Sequence, residues 1–177
     1  MFTTSTPELE TLGAAITTQE IKQQPKLWED TYAIYTNNRD KIDTFISSAR
    51  ELGGKRRTRV VFTGAGTSQY VGDTITPYLR RFGEKNAFEF ASVATTDIVS
   101  DPLGSLDADD PTVLVSFARS GNSPESMAAV QVARSLVKDL LLINITCAPE
   151  GRLAVESQGK TDTLTLLIPG ANDQGFA

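Results

Sequence analysis

Residues 58–68 read TRVVFTGAGTS, and residues 112–126 read TVLVSFARSGNSPES. Each begins as a short run rich in β-branched residues and ends in a turn built from Gly, Ser and Thr. A run that is apolar at consecutive positions, rather than at alternate ones, describes a strand covered on both faces, the kind that parallel sheets contain. In the first stretch residues 59–63 are expected to form the strand. The glycines of Gly64-Ala65-Gly66 then allow a tight turn and a close approach of backbone to a ligand. Thr67 and Ser68 bring hydroxyls to the start of the following helix. In the second stretch residues 113–118 form the strand. Ser123 then suits an N-cap and Pro124 the first helical position.

Working outward, the strand pattern recurs at residues 88–93, 140–146 and 164–168. Helical spacing fills residues 69–82 and 124–137, the latter through Met127, Val130, Leu136 and Val137. Strands alternating with helices predict an α/β fold: a doubly wound, five-stranded parallel sheet flanked by helices. Pro77 predicts a kink or an early end in the first of these helices. Residues 1–54 read as an N-terminal helical extension to an α/β domain of residues 55–177. Within the extension, Thr17-Thr18-Gln19-Glu20 has capping-box spacing. Pro25 fits the first turn of a second helix holding Leu27, Trp28 and Tyr32. Ile42, Phe45, Ile46, Ala49 and Leu52 recur at helical spacing until Gly53-Gly54 stops that helix.

Composition narrows the function classes. The net charge of −5 argues against a nucleic-acid partner, which calls for a basic surface. It does not argue against a small anion, because backbone N–H groups bind anions without net positive charge. The chain has no histidine, so a Ser-His-Asp hydrolase and a His-ligated metal site are excluded within it. The one cysteine, Cys147, forms no internal disulfide, which fits a cytoplasmic protein. No apolar run is long enough to span a bilayer, and the first residues lack a secretory pattern.

In an open α/β sheet ligands bind at the carboxyl ends of the strands, where strand order reverses. The Gly64–Ser68 turn and the Ala118–Ser126 turn are therefore the places to look. Gly121 lets several N–H groups point at one anion, Ser120 and Ser123 bring hydroxyl donors, and the helix dipole adds favourable potential. Hydroxyls with backbone amides suit a terminal phosphate monoester.

Gly64-Ala65-Gly66-Thr67-Ser68 followed by Ser120-Gly121-Asn122-Ser123-Pro124-Glu125 resembles the paired signature of the SIS (sugar isomerase) domain family. That likeness implies a flavodoxin-like sheet from Thr58 to about Ile168. Gln24-Pro25-Lys26-Leu27-Trp28 and the late stretch from Pro169 to Ala177 are similar to the tagatose-6-phosphate ketose/aldose isomerase group, whose members are linked to galactosamine-6-phosphate deamination and isomerisation. Family enzymes of this kind carry two SIS domains, and the resemblance makes this chain the first. Comparison with the isomerase domain of glucosamine-6-phosphate synthase implies that Ser120, Gly121 and Ser123 hold phosphate oxygens. It implies that Ser68 closes the other side and that Thr67, after Gly66, lies near the sugar. Ala118 stands where that synthase has a serine, Arg119 where it has glutamine, and Asn122 where it has an acidic residue. Arg119 then either adds charge to the phosphate or points to solvent, and Asn122 lowers repulsion of the anion. No metal or organic cofactor is implied.

The resemblance also implies that the general base comes from the second half of such enzymes. Among residues here, Glu125 is expected to serve the helix dipole, Asp73 and Asp97 to be solvated, and Asn172 and Asp173 to form a turn. Cys147 is read as a small packing residue, and Lys55-Arg56-Arg57-Arg59 as a solvated run that is at most a guide for an anionic substrate. Three functions stay open: a phosphosugar isomerase or deaminase half, a non-catalytic phosphosugar-sensing module, and a dinucleotide-binding domain. The last suffers from Gln69, which occupies the place of the third glycine of G-x-G-x-x-G. Apolar helical faces predict at least a homodimer.

Overall fold

The computed structural model describes residues 3–171. Helices α1 (Thr6–Thr11), α2 (Ala15–Asn37) and α3 (Arg39–Leu52) precede strand β1 (Thr58–Thr63). Helix α4 (Thr67–Phe82), β2 (Phe88–Ser92), α5 (Thr95–Ser100), α6 (Pro102–Ser105) and β3 (Thr112–Ala118) follow. Then come α7 (Pro124–Leu136), β4 (Leu140–Thr146), α8 (Arg152–Val155), β5 (Thr163–Leu167) and a 3-10 turn at Pro169–Ala171. All five strands are parallel in the order β2-β1-β3-β4-β5. This is the flavodoxin-like order, and it reverses between β1 and β3.

The continuous apolar runs explain the layering, because alternate residues of each strand face opposite helical layers. On one face Val61, Leu114 and Leu142 pack with Ile98 of α5, Met127, Val130 and Ala133 of α7, and Leu153 of α8. On the other, Phe62, Val113, Val115 and Ile143 pack with Phe45 and Ala49 of α3, and with Ile75 and Leu79 of α4.

The five strands and the helices α4 and α7 fall where the pattern places them, with ends shifted by one or two residues, while the short helices α5, α6 and α8 were not read from it. The proline and capping readings are the exceptions. Thr17–Glu20 starts no helix: the segment lies inside α2, where Thr18 and Glu20 are buried. Packing of that turn overrides its capping pattern. The helix start that the pattern missed is at α1, where the Glu8 carboxylate accepts the Ser5 amide at 3.0 Å and its hydroxyl at 2.6 Å. Pro25 likewise lies within α2 rather than at a helix start. A proline removes one ladder hydrogen bond, but α2 is held by contacts to α1, α3 and the 3-10 turn. Pro77 does not end α4, which runs on to Phe82. Gly54, at φ +58°, follows the end of α3 as expected.

The basic run lies at the far end of the sheet from the candidate site. It sits at the amino end of β1, about 17 Å along the strand from Thr63. Arg57 pairs with Glu89 at 3.0 Å, Arg56 with Asp110 at 3.9 Å, and Arg59 donates to the Ser105 carbonyl at 2.9 Å. Lys55, Arg56 and Arg57 are exposed, as a solvated run should be, and Arg59 is half-buried; their place at the amino end of β1 sets the run away from the candidate site.

One ion pair joins α7 to the start of β5. Arg134 donates to both Asp162 oxygens, at 2.7 and 3.2 Å, and to Thr163 at 2.8 Å. The Arg134 hydrogen bonds lower the Asp162 carboxyl from 3.8 to about 2, against an opposing push from partial burial. A depressed folded-state value adds stability that is complete above the unfolded value of 3.8 and is lost as pH falls through about 2. The two side chains are 29% and 41% exposed. Screening therefore holds the contribution to about 1 kcal/mol. Asp162→Asn is expected to lower stability by that amount at neutral pH, with the gap to wild type closing on acidification; urea titrations across the acidic range measure it.

Candidate functional site

Two loops meet where the strand order reverses. Thr63, the last residue of β1, pairs in register with Ser116 of β3, so the β1–α4 and β3–α7 loops leave the sheet side by side. Each leads directly into a long helix, so two helix N-termini open on one crevice. The first amides of any helix lack intrahelical acceptors and carry the positive end of its dipole.

In the first loop Gly66 is the N-cap of α4 at φ 58°, ψ −127°, a conformation essentially limited to glycine. Gly66 and Thr67 are exposed and Ser68 is half-buried. The Ser68 amide donates to the Ala65 carbonyl at 3.2 Å and the Gln69 amide to the Gly66 carbonyl at 3.0 Å, closing the turn. The Gln69 side chain accepts the Gly64 amide at 3.2 Å. The third-glycine position of a dinucleotide fingerprint is thus filled by a side chain that the local structure uses.

In the second loop Gly121 has φ +62° and is buried, while Arg119, Ser120 and Asn122 are exposed. The Ser120 hydroxyl oxygen accepts the Asn122 amide at 3.2 Å. A hydroxyl keeps its proton in such a bond, so Ser120 retains a donor. Ser123 is the N-cap of α7, with Pro124 first in the helix, as the pattern predicted. Its side chain does not cap, however; it donates to Ser126 Oγ at 2.7 Å. The amides of the first turn of α7 are thereby left to an incoming acceptor. Glu125 is in that turn, where its charge suits the dipole.

A third loop, after β4, braces the second. The Thr146 hydroxyl and the Cys147 amide both donate to the Arg119 carbonyl, at 3.1 and 3.0 Å. Leu153 N–H donates to the Gly121 carbonyl at 3.0 Å, and Arg152 N–H to Asn122 Oδ1 at 2.9 Å. Asn122 therefore spends its oxygen on the N-terminus of α8. Sequence reasoning gave Thr146 and Arg152 no role, because nothing local shows that this loop folds back on the Ser-rich one.

A buried polar row was also missed. Thr63, Ser116 and Asn144 are in register across β1, β3 and β4, on the face covered by α7. Thr63 Oγ1, Ser116 Oγ and Asn144 Oδ1 are buried without a hydrogen-bond partner among the described residues. A polar residue at matching positions of three apolar strands was the available signal. Of the carboxylates considered earlier, Asp73 is exposed, as expected, and its Oδ1 also accepts from Gln69 at 3.0 Å and Ser92 at 2.7 Å. Asp97 lies exposed in the first turn of α5. Asn172 and Asp173 fall outside the described residues.

Comparison with known proteins bears on this arrangement. A sequence profile described as the SIS domain matches residues 55–174. The chain belongs to the SIS domain family. A D-galactosamine-6-phosphate deaminase AgaS from Shewanella sp. (strain ANA-3) is 37% identical over 174 residues, 98% of this chain and 44% of that protein. A Streptomyces coelicolor protein provisionally given the same name is 43% identical over 166 residues, 93% of this chain and 42% of its own length. The crystal structure of tagatose-6-phosphate ketose/aldose isomerase from Escherichia coli matches with a TM-score of 0.82 at 38% identity, over 92% of this chain and 42% of that one. This SIS chain thus spans less than half the length of the relatives it matches. Among the described residues no helix is long and apolar enough to cross a membrane.

Substitutions at two positions test the SIS loop geometry without a ligand. A Cβ at Gly121 would meet Thr146 Oγ1 at 3.1 Å on a backbone that already disfavours side chains. Gly121→Ala is expected to cost about 1–2 kcal/mol in chemical denaturation. Asn122→Ala should cost about 1 kcal/mol by uncapping α8, whereas Asn122→Asp, which keeps the acceptor, should cost less.

Proposed function

We propose that this chain anchors the phosphate of a hexose or hexosamine 6-phosphate, of the galactosamine 6-phosphate or tagatose 6-phosphate type, for an aldose–ketose isomerase or deaminase. In this reading residues 1–54 are a helical extension and residues 55–177 the phosphosugar-binding SIS domain. The observation that carries it is the α7 N-terminus: a helix start at the strand-order reversal whose own serine leaves the first-turn amides uncapped, beside the Ser120 hydroxyl, which keeps its proton, and the Ser123 hydroxyl, which reaches a ligand by turning from Ser126. Gly66, Thr67 and Ser68 line the opposite wall, and Arg119, Gly121 and Asn122 complete the second loop.

The chemistry of such an enzyme is a proton transfer between C1 and C2 of the opened sugar through an enediol or enolamine, with loss of ammonia in the deaminase. Holding the distant phosphate supplies binding energy that orients the reacting carbons. The proposal gives this chain that anchoring role and assigns none of its carboxylates as the base. Asp73 is engaged by two donors, and Glu125 serves a helix dipole. A sensing module would use the same anchor without turnover, and an assay of ammonia release and ketose formation tells the two apart.

We place the protein in the cytoplasm and read it as a homodimer or larger. Support for the second point is the exposed aromatic face Trp28, Tyr32 and Tyr35 of α2, with Tyr70, Tyr78 and Phe82 of α4. Light scattering that reports a monomer at high concentration would remove it.

Calorimetric titration tests the anchor. Galactosamine 6-phosphate and tagatose 6-phosphate are expected to bind and the unphosphorylated sugars not to. Ser120→Ala combined with Ser123→Ala should weaken binding by about a hundredfold, since two hydrogen bonds to a charged group are lost. Binding that ignores the phosphate or both serines would refute the assignment.

A further inference from the structure

We propose that Gln69, Asp73 and Ser92 are positioning residues that clamp the Gly64 peptide and thereby aim the first loop at the phosphosugar. The proposal rests on the anchoring role just given to that loop. Both ends of Gly64 are occupied. Its carbonyl accepts the Thr95 amide at 3.0 Å and the Thr95 hydroxyl at 3.2 Å. Its amide donates to Gln69 Oε1 at 3.2 Å. Gly64 therefore has no donor to offer a ligand, and the amides that the loop can present are those that follow it, at Ala65, Gly66 and Thr67.

What fixes Gln69 is a closed set of hydrogen bonds between α4 and the end of β2. Gln69 Nε2 donates to Asp73 Oδ1 at 3.0 Å and to Ser92 Oγ at 2.6 Å. Ser92 Oγ donates its own proton to Asp73 Oδ1 at 2.7 Å. The donors and acceptors admit one arrangement: a carboxylate accepts only, so the Gln69 nitrogen must face it and the Gln69 oxygen must face Gly64. A side-chain amide held only by solvent would rotate and release Gly64.

The packing is shaped to allow this. A Cβ on Gly72, between Gln69 and Asp73 on the same helix, would stand 2.6 Å from Ser92 Oγ and 2.8 Å from Phe62 Cβ. Its absence lets α4 approach close enough for the set to close. Ser92 pairs in register with Phe62 of β1, two residues before Gly64. Three elements therefore agree on the position of one peptide. Fixing a binding group before the ligand arrives removes an ordering cost from binding.

The experiment joins hydrogen exchange at the Gly64 amide, followed by NMR in the unliganded protein, to calorimetry with galactosamine 6-phosphate. Gln69→Leu removes both functions of the amide. Asp73→Ala removes the acceptor, and Asp73→Asn restores one. Gln69→Leu and Asp73→Ala are expected to speed Gly64 exchange by about tenfold or more and to weaken binding about five- to tenfold, as the loss of a single hydrogen bond does. Asp73→Asn should return both readings to within about twofold of wild type, whereas Asp73→Leu, which fills the same space without an acceptor, should not. Ser92→Ala replaces any of these variants that does not fold. Unchanged Gly64 exchange in folded Gln69→Leu overturns the clamp, and faster exchange with unchanged affinity overturns its part in aiming the loop. A wild-type protein that binds no sugar phosphate overturns the anchoring reading instead, and the exchange measurement then judges the clamp alone.

Discussion

The parallel pairing of β1 with β3, Thr63 opposite Ser116, is the constraint on which the rest of the structure depends. It places two strands that are distant in the chain next to each other, with a strand-order reversal between them. Because both run the same way, their carboxyl ends and the helices that follow them open on the same edge. The glycines of each loop then let the chain turn without carrying a side chain into the crevice. Sheet order sets the location, and backbone conformation sets what that location can hold.

The site draws on backbone dipoles more than on net charge. A chain with net charge −5 is a poor general attractor of anions. Amides at helix starts supply fixed partial positive charges that do not depend on pH and carry no side-chain entropy. The arrangement of Ser123 is informative in this light. An N-cap serine normally bonds an amide of the first turn, whereas this one donates to Ser126. The loop is braced from behind by the β4–α8 segment through Thr146, Arg152 and Leu153. The loop proposed to meet a ligand is thus held by residues outside it.

The legible parts of this protein were those governed by local pattern. Runs such as residues 113–118 and 140–146 announced buried strands, and the Ser123-Pro124 step announced a helix start. The two loops were visible because Gly, Ser and Thr cluster there against an apolar background. What escaped was decided by tertiary contact. Thr17–Glu20 has the right residues for a cap, yet burial of Thr18 and Glu20 keeps that segment within a helix. Pro25 and Pro77 looked like helix punctuation, but neighbouring elements hold both helices across the missing amide. Asp73 is exposed as read, but its bond to Ser92 escaped because that partner is nineteen residues away and is brought near only by the β1–β2 pairing.

The split between the two loops has a consequence for how the protein is made. The loop of one wall ends at Ser68 and its braces Asp73, Ser92 and Thr95 soon follow, while the other wall awaits Ser126, beyond α6 and β3. No early segment emerging from the ribosome carries both walls, because the second is braced by the still later β4–α8 segment. Closing so long a loop is entropically costly, and parallel pairings of this kind are slow to form. During synthesis the apolar flanks of β1 wait exposed for β3. The two walls therefore face each other only once β3 has paired with β1, a late event in synthesis.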